Sequence, residues 1–129
     1  MLVLLACLSN ATPVKAFLFN RHALNYFLYI IIKTTMTITI FKEGMAGAEP
    51  PPNVSIYLQA LWYDANDDWE RAHKLIQDLP DKNAAWIHAY LHRREGDLFN
   101  ADYWYRRAGK SRPDVSLAEE WEGMVSALL

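Results

Sequence analysis

A chain of 129 residues with 52% apolar and 22% charged residues has the length and balance of one ordinary soluble domain with a modest core. A single cysteine, Cys7, excludes an internal disulfide framework and any cysteine-based zinc site. Met1 to Lys42 contains four basic residues and no acid, whereas residues 43 to 129 hold nine basic against fifteen acidic residues, which argues against general nucleic-acid binding by the second part.

Leu2 to Leu8 is apolar, but no basic residue precedes it and seven residues are too few for the core of a secretory signal. Leu4-Leu5-Ala6-Cys7 has the form of a lipoprotein cleavage box placed too near the start. Ala16 to Ile32 is long enough for a spanning helix, yet Asn20, Arg21, His22 and Asn25 interrupt its first half. Thr34 to Phe41 alternates β-branched residues and reads as a strand with nothing to pair with. Met36 and Met45 both offer alternative starts. Residues 1 to 44 are therefore expected to be a leader, either disordered or outside the translated protein, with a weak membrane anchor as the rival reading. Residues 45 to 54, with Pro50-Pro51-Pro52, read as a stiff extended linker, and residues 55 to 129 as the folded domain.

Within that domain, an offset of 29 residues places Tyr57 to Trp62 over Trp86 to Leu91, and sets Asp68, Trp69 and Ala72 over Asp97, Leu98 and Ala101. Such a register is the mark of an internal repeat in which each unit is a helical hairpin whose apolar face its neighbour must cover. Ala60 and Ala89 mark close approach on the first helices, Ala72 and Ala101 on the second. The turns Ala65-Asn66-Asp67-Asp68 and Arg94-Glu95-Gly96-Asp97 pair a residue tolerant of positive φ with an acidic N-cap. Leu98, Ala101, Trp104, Tyr105 and Ala108 form an apolar stripe at helical spacing, and Pro80 and Pro113 close the two units. Ser116-Leu117-Ala118-Glu119 is a capping box that opens a last helix, with Leu117, Trp121, Met124, Val125 and Leu128 on one face. That helix is expected to cap the open end of the stack. The fold class is all-α.

Gly96-Asp97-Leu98, followed by Ala101, Tyr105, Ala108 and Pro113, resembles the second-helix half of a tetratricopeptide (TPR) repeat. The span from Tyr57 to Leu129 also resembles a family of short bacterial proteins with no assigned reaction, through Trp69-Glu70-Arg71-Ala72-His73, His88 to Arg93 and Asn100 to Ala108. The resemblance implies TPR-like helical hairpins, two repeats plus a C-terminal capping helix. The period of 29 residues departs from the usual ~34, and the first helices lack the usual Trp, Leu, Gly and Tyr set, so no groove residues are carried over.

Chemistry concentrates between His73 and Arg107. His88 and His92 lie four residues apart on one helix face, which Glu95 extends by a turn, and in a TPR-like register both point at the partner helix. His73 shares a face with Trp69 and Ile76, the side the second hairpin must cover. Three imidazoles with a carboxylate suit zinc or another transition metal; the plainer reading is a set of packed, hydrogen-bonded rings that titrate near neutral pH. HExxH is absent. Arg93, Arg94, Arg106, Arg107, Lys110 and Arg112 beside Tyr103 and Trp104 offer a phosphate grip, but i, i+4 pairs such as Asp102 with Arg106 and Tyr103 with Arg107 explain them as a solvated helix face.

Gly109-Lys110-Ser111 fails as a phosphate loop because Trp104 stands where the first glycine belongs and no strand precedes it. The sequons at Asn10 and Asn53 matter only in a secreted protein. No nucleophile stands beside a base. The expected role is a cytoplasmic, non-enzymatic interaction module without a cofactor, binding a protein partner or a second copy of itself through His73, His88, His92, Arg93, Glu95, Tyr103, Trp104 and Arg107. The alternative is a small metal- or ligand-binding protein whose ligands, with zinc as the metal, are His73, His88 and His92.

Overall fold

The computed structural model describes residues 36–129, and the expectations for residues 1 to 35 lie outside the described residues. Among the described residues there are six α-helices, one 3-10 turn and no strand. The helices are α1 (Ile38–Glu43), α2 (Ile56–Ala65), α3 (Trp69–Ile76), α4 (Lys82–Glu95), α5 (Leu98–Ala108) and α6 (Leu117–Leu128). The all-α expectation holds.

Local chemistry sets most of the boundaries. The side-chain oxygens of Ser55, Asp68, Asp81, Asp97 and Ser116 each accept a hydrogen bond from a backbone N–H in the first turn of α2 to α6 respectively. Ser116 and Glu119 complete a capping box. Gly96, at φ 91°, and Gly109, at φ 72°, end α4 and α5 in the left-handed region that a β-carbon would penalise.

Helix α2 packs on α3 and α4 packs on α5, giving two successive helical hairpins. Ala60, Ala72, Ala89 and Ala101 are all fully buried, so the repeated alanines sit where neighbouring helices come closest. Leu58, Leu61, Trp62, Ile76, Ile87, Tyr90 and Leu91 make the main core, and Ala89, Ala101 and Tyr105 make a smaller one between α4 and α5.

Three expectations are corrected. The strand over Thr34 to Phe41 is instead helix from Ile38 onward: Thr37 Oγ1 accepts from Ile40 N at 3.3 Å, and Phe41 drops, fully buried, against Trp121 with ring centroids 6.0 Å apart. Burial of one aromatic ring and an ion pair from Lys42 to Glu122 override a β-branched alternation that finds no strand to pair with. The later part of the supposed leader thus packs within the compact unit Thr35–Leu129.

The stretch read as an extended linker is likewise docked. Met45 and Val54 pack against the core, Tyr63 Oη donates to Glu49 at 2.9 Å, and Gln59 Nε2 donates to Val54 O at 3.1 Å, while Gly44, the last residue of the supposed leader, accepts from Trp62 Nε1 at 3.1 Å. Finally, α6 does not cap the far end of the stack. It packs across α1, α2 and α4, burying Trp121, Met124 and Val125, with Trp121 Nε1 donating to Leu61 O at 3.0 Å. The outer side of α5 stays open: Leu98, placed in the apolar stripe by its spacing, is 45% exposed.

Candidate functional site

The seam between the two hairpins gathers three histidines. Helix α3 supplies His73, and α4 supplies His88 and His92, whose spacing of four residues stacks their rings at 4.9 Å between centroids. His73 Nε2 and His88 Nε2 are 2.8 Å apart, a hydrogen bond in which one imidazole donates and the other accepts. The His73 and His92 rings lie 5.6 Å apart. One nitrogen from each ring falls within a set whose members are all within 4.8 Å of one another.

Aromatic neighbours hold these rings from both sides. Trp69 stacks on His73 at 4.6 Å, its indole anchored by a 3.1 Å bond from Nε1 to Leu91 O, and Trp104 stacks on His88 at 3.9 Å. The Glu95 carboxylate bonds His92 Nδ1, which turns the Nε2 edge of His92 away from Glu95. His88 and His92 are buried and His73 is half-buried.

Burial, then the neighbouring His73 and His92, pushes the His88 pKa down to about 3. Burial and His92 push His73 down as well. The expectation of titration near neutral pH is therefore corrected for His73 and His88, because burial strips water from the charged form of each ring.

The linkage follows. Between pH 6.5 and about 3 the unfolded chain binds a proton at His88 that the folded chain does not, so stability rises with pH across that window. In protein treated with EDTA, urea midpoints are expected to fall between pH 7 and 5.5, above the ordinary carboxylate range. A His88→Gln variant that folds should show a flatter dependence; an unchanged slope would contradict the assignment.

The structure separates the remaining candidates. Arg93 turns away to the other side of α4, pairing with buried Glu120, which also accepts from Tyr105 Oη at 2.6 Å. It is therefore a structural cation and not part of the seam. Arg94, part of the phosphate grip weighed above, bonds Asp64 Oδ1 and Asp67 Oδ1, each at 2.6 Å. Asp102 pairs with Arg112 at 3.2 Å in place of Arg106, because the chain turns back after Gly109. Tyr103 and Arg107 do pair as expected, Nη1 donating to the Tyr103 hydroxyl oxygen at 3.3 Å.

No protein-family model, curated protein or solved structure matches the chain. Its chemistry must be read from its own residues. The Arg107 guanidinium lies 5.0 Å from the Trp104 ring centroid, so the histidine seam passes through Trp104 to the outer face of α5. That face carries Phe99, 84% exposed, with Tyr103 one turn on and Arg106 and Arg107 after it, an i, i+4, i+7, i+8 row. Phe99 was missed in the sequence because the stripe through Leu98, Ala101 and Tyr105 took the apolar face of this helix; its signal was this spacing relative to Tyr103.

Proposed function

We propose that the chain is a TPR-like helical-repeat module that binds a partner protein across the outer face of α5. One observation carries the reading: α6 packs along the first helices of both hairpins, leaving Phe99 exposed where the next hairpin of a repeat array would stack. A large aromatic ring in water beside Tyr103 and two arginines has the composition of an interface hot spot. A complementary partner offers an apolar groove or helix with acidic flanks, which Arg106 and Arg107 would meet. The proposal retains a cytoplasmic, non-enzymatic role. No helix among the described residues is long and apolar enough to cross a membrane.

The test replaces Phe99 by a photo-crosslinking phenylalanine analogue in the full chain, expressed in its own cells, with the same analogue at exposed Glu70 as a control. A discrete adduct at position 99, lost on Arg106→Glu/Arg107→Glu and absent from position 70, is expected. An adduct whose mass is that of two chains would identify the partner as a second copy. No adduct specific to position 99 would refute the reading.

A further inference from the structure

We propose that His73, His88 and His92 form a three-histidine site for a divalent transition metal, with zinc as its first occupant and Glu95 as the positioning carboxylate. The inference rests on the seam alone and holds whether or not α5 docks a partner.

Three observations support it. The first is geometry. Zinc holds imidazole nitrogens at ~2.0–2.1 Å, which in a tetrahedron sets two ligand nitrogens about 3.3 Å apart. His73 Nε2 and His88 Nε2 stand at 2.8 Å, and a nitrogen from each of the three rings lies within 4.8 Å of the others. The His73 ring, half-buried and stacked on Trp69, already presents Nε2 to His88, so the three rings converge without a change of helix packing.

The second is tautomer control. A metal-bound imidazole characteristically gives its other N–H to a carboxylate, and His92 Nδ1 already meets Glu95. That contact places the proton on Nδ1 and leaves the Nε2 lone pair for the metal. The third is preorganisation: Trp69 stacked on His73 and Trp104 stacked on His88 fix the two ring planes before any ion arrives.

An all-nitrogen donor set suits Zn²⁺, Cu²⁺ and Ni²⁺ and disfavours Mg²⁺ and Ca²⁺, which take oxygen. Three protein ligands leave the fourth tetrahedral position to water or a small anion, the arrangement of open zinc sites. The competing account is a metal-free cluster satisfied by the His73–His88 hydrogen bond, and among the described residues no buried side-chain nitrogen or oxygen lacks a partner.

The experiment uses the full chain, purified without an affinity tag, stripped with EDTA and titrated with ZnCl₂ by calorimetry, with Co²⁺ as a spectroscopic substitute. One ion per chain is expected, with visible Co²⁺ bands of tetrahedral intensity. His73→Asn, at the half-buried position least needed for folding, should abolish saturable binding while circular dichroism stays helical. Glu95→Gln should weaken it by about 10–100-fold. His22→Gln should change nothing. Absence of saturable zinc binding, or binding that His73→Asn leaves intact, would overturn the proposal.

Discussion

Replacing Arg94 by alanine is expected to destabilise the domain by about 3–5 kcal/mol, the usual cost of removing one partner from a buried ion pair. The magnitude follows from the position of Asp64. Its side chain is 1% exposed near the end of α2, and Arg94 reaches it from the last turn of α4 while also bonding Asp67 in the turn beyond. Without the guanidinium, the carboxylate would remain in the core with too few donors.

Burial already pushes the Asp64 pKa up, against the opposing pull of Arg94, and the variant removes that pull. An acid with a raised folded pKa is most favourable to folding below its unfolded value and loses that advantage as pH rises through the folded value. The Arg94→Ala penalty should therefore be largest at neutral pH and shrink on acidification. Urea unfolding of the variant at pH 7 and pH 5 checks both the size and the trend. A penalty under ~1 kcal/mol, or one that grows with acid, would mean that Asp64 is not held as described.

The second large effect belongs to Phe41. Phe41→Ala is expected to cost about 3–5 kcal/mol, as large-to-small changes at fully buried aromatic positions do. The loss combines transfer of the ring with a cavity against Trp121. By contrast, Ile40→Ala, on the exposed side of the same short helix, should change stability by no more than ~0.5 kcal/mol beyond its small propensity effect. Chemical denaturation of the two full-length variants measures the difference. Equal midpoints would show that α1 does not dock.

These two residues also show where the sequence speaks and where it is silent. Local signals were legible because cause and effect lie within one turn: the caps at Asp68, Asp97 and Ser116, and the positive φ at Gly96, need only their own neighbours. The alanine register was legible because a repeat encodes long-range packing twice. That register also sets His73 on the side facing His88 and His92, where the His73 and His88 rings meet.

What failed was tertiary. Phe41 sits in a stretch of Thr and Ile whose intrinsic preference is extended, and only Trp121, eighty residues on, makes a helix there worthwhile. Nothing in the sequence marks Asp64 and Glu120 as buried acids, because Arg94 and Arg93, which pair with them, lie 30 and 27 residues away along the chain. The path of α6 across α2 and α4 could not be inferred from its own apolar face, which fits either an end cap or a side buttress.

The seam between the hairpins brings His73 of α3 onto His88 of α4, with Trp69 and Trp104 closing the stack. A two-dimensional NOE spectrum of the full chain tests it most directly. Cross-peaks from the His73 ring protons to both the His88 ring and the Trp69 indole are predicted, together with cross-peaks between His88 and Trp104. A His73 ring that shows contacts only to its own helix, and none to His88, would contradict the account.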